Sequence, residues 1–309
     1  MARCFVTREL PGDAIERLRA AHEVEVWGKR LPPSPDELRV HTRAAEGLLC
    51  LLTDRVDREL IHAAPDLRAI SNYAVGSDNI DLHAAAERGI PVGITPDVLT
   101  EATADMAFAL LLAAARRLVE ADADARRGEW KTWEPARLLG QDVHGRRLGI
   151  VGYGRIGRAV ARRASGFDME ILHSGRSGGV ALETLLESCD FVSLHCPLTP
   201  ATRGLIGEAQ LRRMRPRAVL VNTARGPIVD TDALVRALSE GWIGAAAVDV
   251  IDPEPPPADH PLFDAPNLTV VPHIASATHA ARERMANLAA DNLLAGLAGR
   301  PLPAVATAD

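Results

Sequence analysis

Cysteine is scarce and scattered: Cys4, Cys50, Cys189 and Cys196 form no Cys-x-x-Cys pair. That spacing gives no cysteine zinc site and no redox motif, so each thiol is expected to be a small buried hydrophobe in a reducing compartment. Ten histidines occur, none in a His-x-x-x-His arrangement, so no resident metal is expected. Long apolar runs are also missing. The longest, residues 106–115, lies between Asp105 and Arg116 and falls short of the ~20 residues that span a bilayer. The first ten residues have too short an apolar core for a signal peptide. No basic run suggests a nucleic-acid footprint, and the net charge is only −6. These absences point to a soluble, cytoplasmic protein with neither nucleic acid nor membrane as partner.

What is present is an ordinary globular composition, 47% hydrophobic and 25% charged over 309 residues, a length that suggests about two domains. In the middle of the chain, "LGIVGYG", "EILHS", "FVSLHC", "AVLVNTARG", "AAAVDV" and "LTVVPHIA" read as strands. They are apolar nearly throughout, as strands buried on both faces are. Helical patterns such as "TDALVRALSEGW" separate them. Such alternation predicts a doubly wound parallel sheet. The first hundred residues repeat the pattern on a smaller scale, with "RCFVT", "EVEVWG", "GLLCLLT" and "LRAISNYAVG" as strands. A last helix from about residue 279 to 296 carries Met285, Leu288, Ala289 and Leu293 on one stripe. The expected organisation is α/β and discontinuous: residues 1–99 and 279–309 as a smaller substrate domain, residues 100–278 as a dinucleotide-binding domain, and a cleft between them for ligand.

The dinucleotide reading rests on Gly152, Gly154 and Gly157, a Gly-x-Gly-x-x-Gly that follows an apolar strand and opens a helix. Such glycines, with Arg155 and Ile156 in the same turn, let a pyrophosphate approach the helix N-terminus. One more absence is informative here. An acidic ribose contact is expected roughly 20 residues later. The tip of the next strand reads His-Ser-Gly-Arg-Ser around Gly175, with no Asp or Glu between Glu170 and Glu183. An acid would repel a 2′-phosphate, whereas Arg176, with Ser174 and Ser177, can bond it. NADPH is therefore expected over NADH, with NAD still possible as coenzyme.

Three stretches stand at or just after expected strand ends, where open α/β sheets hold ligands: "NTARG", "DPEP" and "PHIAS". Arg225 follows a buried strand and calls for an anionic partner. His273 can supply the proton that a carbonyl needs when hydride reaches its carbon. Glu254 can stabilise and orient that imidazole. With a coenzyme site, the three make a hydride-transfer set.

These segments, together with "GLLCLLTDRVD", "SNYAVGSDNID", "GITPDVLTEATADMAFALLL" and "GEWKTWEP", resemble the D-isomer-specific 2-hydroxyacid dehydrogenase family over nearly the whole chain, and within it the glyoxylate/hydroxypyruvate reductases. The resemblance implies reduction of glyoxylate and hydroxypyruvate, a flavodoxin-like substrate domain, and residue roles. Arg225 would grip the 2-oxo-acid carboxylate, His273 would donate the proton and Glu254 would support it. The backbone at Val75 and Gly76 would hold the substrate carboxylate, with Leu52 and Ser276 lining the pocket. Asp249 would bond the nicotinamide carboxamide, and Pro197 and Thr202 would line the coenzyme cleft. Trp133 would cover the substrate pocket of a second copy in a homodimer. Ala74 and Ser77 depart from the family's carboxylate loop, which leaves the preference among small 2-oxo acids open. Two other readings remain: a phosphoglycerate dehydrogenase-type or other D-2-hydroxyacid dehydrogenase, and a corepressor-like nucleotide sensor.

Overall fold

The computed structural model describes residues 1–176 and 178–307; Ser177, one of the expected 2′-phosphate contacts, lies outside them. The chain forms two compact units: residues 1–99 with 277–309, and residues 100–276.

The first unit holds a five-stranded sheet of β1 (Arg3–Val6), β2 (Glu23–Val26), β3 (Gly47–Cys50), β4 (Ala69–Asn72) and β5 (Val92–Gly93). All pairings are parallel, in the order β2-β1-β3-β4-β5, the flavodoxin-like sequence. On one face Phe5, Leu48, Cys50, Ile70 and Val92 pack with Leu38, Leu60 and Ile61 of α2 (Pro35–Thr42) and α3 (Arg58–Ala63). The other face meets α1 (Ala14–Ala21) and α11 (His279–Leu297), whose Leu293 and Leu297 side chains stand where a Cβ on Gly47 would project. Of the stripe expected on α11, Met285, Ala289 and Leu293 are fully buried and Leu288 is half-buried. Asn292, which no apolar pattern reveals, is buried there too. It donates to Ile94 O (2.9 Å) and accepts from Ala304 N (2.9 Å), pinning the C-terminal segment beside β5.

The second unit holds six parallel strands: β6 (Arg147–Val151), β7 (Glu170–Ser174), β8 (Phe191–Leu194), β9 (Val219–Asn222), β10 (Ala245–Val248) and β11 (Leu268–Val270), in the order β11-β10-β9-β8-β6-β7. Successive side chains point to opposite faces, and both faces are apolar. Leu148, Ile150, Phe191, Val219, Val221 and Ala247 pack under α5 (Thr100–Ala115) and α7 (Arg155–Ser165). Val192, Leu194, Leu220, Ala246 and Val248 form the opposite core with α8 (Leu182–Ser188), α9 (Glu208–Arg213) and α10 (Thr231–Ser239). The central strands match the fully apolar reading. The edges do not: β7 and β11 are only half-buried over most of their length, because an edge strand has a neighbour on one side only.

The expected strands are also longer than those formed. β9 ends at Asn222 and β11 at Val270, so Arg225 and His273 stand beyond the sheet, on turns. β5, α2 and α3, which the sequence pattern did not single out, complete the first unit. Strand order reverses at β6, whose neighbours β7 and β8 both follow it in sequence. Such a switch point opens a crevice at the carboxyl ends of the strands.

Candidate active site

The glycine turn after β6 is built as a phosphate cradle, each glycine for a different reason. Gly152 has φ +93, and a Cβ on it would lie 2.4 Å from the Cys196 nitrogen, so the turn after β6 presses against the chain leaving β8. Gly157 has no room for a side chain, because a Cβ would stand 2.4 Å from Gly152 O. Gly154 caps α7 and has nothing within 4 Å of its missing Cβ. Open space at the mouth of a helix N-terminus is what a pyrophosphate needs. α7 carries no acid in its first turn. Arg155 is exposed and Ile156 half-buried at its start.

The tip of β7 is tied to this turn. Gly152 N donates to Ser174 O at 2.8 Å, and a Cβ on Gly175 would lie 3.6 Å from Gly152 Cα. Arg176 follows, exposed. Val180 N returns to His173 O at 2.9 Å through Gly178 and Gly179, both at φ near +100. The His173 ring stacks on Tyr153 at 4.2 Å and 10°. Neither ring was foreseen; an aromatic inside the Gly-x-Gly, followed by a histidine on the next strand, was the available signal. Beyond β8, the Thr202 hydroxyl donates to Pro197 O at 2.7 Å and accepts from Thr199 N at 2.8 Å. Thr202 thus shapes the loop it shares with Pro197.

The chemistry-bearing residues stand at the carboxyl ends of three neighbouring strands. Asp249 N donates to Asn222 O at 2.9 Å, and His273 N donates to Asp249 O at 2.9 Å, so the turns after β9, β10 and β11 are joined by main-chain bonds. Asn222, unnoticed in the sequence, turns the chain after β9: its side chain donates to Arg225 O (2.9 Å) and accepts from Ala224 N (3.0 Å). An Asn followed two residues on by a turn was the available cue. Arg225 is half-buried. Gly226 has no space for a Cβ, which would lie 2.1 Å from the Ile251 carbonyl. That close approach sets the Arg225 turn against the loop that carries Glu254. The Thr231 hydroxyl donates to Asp252 O at 2.8 Å and joins the two again.

Glu254 Oε1 lies 2.5 Å from His273 Nδ1. This pair leaves Nε2 as the nitrogen to face a reacting group. The His273 side chain keeps 23% of its surface exposed and Glu254 34%, so the imidazole remains reachable. His273 itself has φ +51, a conformation that costs a non-glycine residue about 1 kcal/mol or more. Asp249 holds it there. Its carboxylate, 2% exposed, accepts from Ile274 N at 2.6 Å and Ala275 N at 2.9 Å. Burial raises its affinity for a proton and the two amides oppose that. Both oxygens are therefore engaged with the chain's own backbone, a task the sequence reading did not give Asp249. Ser276, at the end of this turn, is buried.

In the first unit, the expected carboxylate loop is braced by two asparagines. Asn72 Nδ2 donates to Gly76 O and to Asn79 Oδ1, both at 2.9 Å. Asn79 Nδ2 donates to Leu51 O and Asp54 O, both at 3.0 Å. Val75, Gly76 and Leu52 are half-buried on the segments so held. Trp130 and Trp133 of "GEWKTWEP" are 77% and 81% exposed. All four thiols are buried; burial pushes Cys4 up to about 12 and Cys189 up to about 11.

The model of the family "D-isomer specific 2-hydroxyacid dehydrogenase, NAD binding domain" matches residues 108–275, more than half of the chain. The chain belongs to that family. A glyoxylate reductase of Korarchaeum cryptofilum is 52% identical over 305 residues, covering 95% of this chain and 92% of that one. A solved structure from Thermus thermophilus superposes with a TM-score of 0.93 at 50% identity, over 99% of this chain and 100% of that one. An NADPH-dependent glyoxylate/hydroxypyruvate reductase of Sinorhizobium meliloti, solved with NADP and malonate, gives 0.88 at 32% identity, over 99% and 97%. The protein is an oxidoreductase with a nicotinamide-dinucleotide-binding domain. No helix among the described residues is long and apolar enough to cross a membrane.

His195, at the end of β8 beside the glycine turn, was not among the expected residues. Its Nε2 meets the Ser193 hydroxyl at 2.8 Å, while Nδ1 is buried with no partner among the described residues. Desolvation pulls it from the ordinary histidine value of 6.5 down to about 4. Below pH 6.5 the unfolded chain takes up this proton first, so the stability from neutral His195 is fully present above that pH and is lost as pH falls toward 4. Urea unfolding between pH 7 and 4.5 should give a wild-type stability that falls more steeply than that of His195→Gln, by up to about 1.4 kcal/mol per pH unit. Parallel curves would contradict the assignment.

Proposed function

We propose that the enzyme reduces small 2-oxo acids, glyoxylate to glycolate and hydroxypyruvate to D-glycerate, with NADPH preferred as hydride donor and NADH usable. The observation that carries the reading is the His273–Glu254 pair at 2.5 Å, on a turn joined through Asp249 to the turn that presents Arg225. The names of the similar reductases support the substrate. Gly152, Gly154 and Gly157 fit a dinucleotide by the geometry above, and the bound nicotinamide supplies the hydride. Arg225 grips the substrate carboxylate and polarises the carbonyl; the backbone amides of Val75 and Gly76 are the further carboxylate donors that the family resemblance implies. Leu52 and Ser276 are the other substrate-contact residues that the resemblance implies. As the carbonyl oxygen gains negative charge, His273 Nε2 gives it a proton, and Glu254 holds the ring and balances its charge. Asp249, besides its backbone bonds, has lone pairs left for a carboxamide.

His273→Ala should lower kcat with glyoxylate by about 10²–10⁴ while coenzyme still binds, as followed by fluorescence titration. Undiminished turnover would remove His273 as proton donor, and a wild type that binds coenzyme without turnover would favour the sensor reading.

The coenzyme preference is carried by Arg176, tied to the glycine turn through Ser174, and by the absence of an acid from Glu170 to Glu183. Arg176→Ala should raise the KM for NADPH about tenfold, the value of one charge-assisted bond, and leave that for NADH nearly unchanged. NADH preferred by the wild type and indifferent to the substitution would overturn the preference.

The homodimer is supported by Leu118, Val119, Trp130, Trp133 and Leu139, all more than half exposed on one segment. Apolar side chains gathered in this way mark an interaction surface, and Trp133 would cover the substrate pocket of the second copy. Sedimentation velocity should give twice the chain mass, and a fully active monomer would refute it.

A further inference from the structure

One hollow in the first unit has no part in the chemistry above. It has a volume of about 790 Å³, beside the carboxyl ends of β1 to β4, with Trp27 and Tyr73 in its wall. Arg8, Lys29, Arg30 and Arg282 line it, and Glu9 is the only carboxylate among its lining residues. Lys29 is already committed, 2.8 Å from Glu37 and 4.7 Å from the centre of the Trp27 ring. The three arginines are not. Arg8 donates to its neighbour's carbonyl, Thr7 O, at 2.6 Å, and the Arg282 guanidinium lies 5.9 Å from the centre of the Tyr73 ring. Among the described residues none of the three forms an ion pair. Several arginines elsewhere in this unit are matched, Arg17 with Asp291, Arg58 with Glu87 and Arg68 with Glu46, but around this hollow three without an ion pair line one space.

The placement of Arg282 adds to this. It stands near the start of α11, which has no acid in its first turn. A cation there opposes the helix dipole, and like charges converging on one space repel unless an anion lies among them. Guanidinium groups offer paired N–H donors that match carboxylate and phosphate oxygens, and the hollow lies in the size range of small-molecule pockets.

We propose that this hollow binds a small polyvalent anion, a molecule carrying two or more anionic oxygens on carboxylate or phosphate groups. The site is independent of the proposed reduction, since binding is measured without turnover. Titration calorimetry of the full chain at low salt, with tricarballylate and glycerol 2-phosphate as probes, tests it. At least one probe should bind at one site per chain, and tighter binding of one or the other identifies the group preferred. Arg30→Gln and Arg282→Gln should each weaken binding about tenfold, whereas Arg225→Gln should leave it unchanged. Arg30 is exposed and its substitution leaves the core intact, so glyoxylate turnover of Arg30→Gln should stay at the wild-type level and report a folded protein. No binding of either probe, binding as tight as wild type by both hollow variants, or loss of binding in Arg225→Gln would each overturn the proposal.

Discussion

The buried carboxylate of Asp249 is the constraint on which the site's geometry depends. A charge removed from water is tolerated only where hydrogen bonds replace its solvation, and two main-chain amides, Ile274 N and Ala275 N, do so here. The same two bonds fix the chain on the far side of His273, while His273 N is held by Asp249 O on the near side. A residue at φ +51 would otherwise relax toward the favoured regions. Clamped at both ends, it cannot. The imidazole is thereby aimed before any ligand arrives, and Glu254 has only to choose which nitrogen is presented. Preorganisation of this kind spares a polar side chain the reorganisation it would otherwise need when a ligand binds.

At the coenzyme end the constraint is steric. Gly152 and Gly157 are glycines because other backbone atoms already occupy the place of a Cβ, while the space at Gly154 is open. The electrostatics agree. Helix first turns usually welcome acids, and α7 has none, leaving the amide dipoles unopposed. The strand tip joined to that turn continues the pattern through Arg176 and lacks acids on either side. A stretch that keeps negative side chains away from the helix N-terminus suits the negative charge of a dinucleotide's pyrophosphate.

Much of this was legible in the sequence, and the remainder was hidden for identifiable reasons. Fully apolar runs marked β6, β8, β9 and β10, because a strand covered on both faces can carry little else. The edges β7 and β11 were over-read, since nothing local to a strand reports how many neighbours it will have. β5 is two residues long and too short to carry a period. Arg225, Glu254 and His273 could be singled out because their residue types suit hydride chemistry at strand ends. Asn72 and Asn79 could not, and Asn222 offered only the turn that follows it: all three act by bonding backbone atoms, and an asparagine gives no sign in sequence of which backbone it will bond. Asp249 was noticed for a ligand; the two backbone amides that it also accepts from, Ile274 N and Ala275 N, gave no sign in the sequence.

Two histidines follow strands of the larger sheet, His195 after β8 and His273 after β11. His195 is desolvated, bonded only to a neutral hydroxyl, and held neutral down to about pH 4. His273 has a carboxylate at 2.5 Å and a side chain still open to solvent. The same residue type thus meets two different surroundings, a neutral hydroxyl in one case and a carboxylate in the other. Proton donation needs a ring that charges and discharges at modest cost, and a buried ring without a counter-charge cannot do so. What surrounds each ring is therefore the reason that His273, and not His195, is proposed as the proton donor.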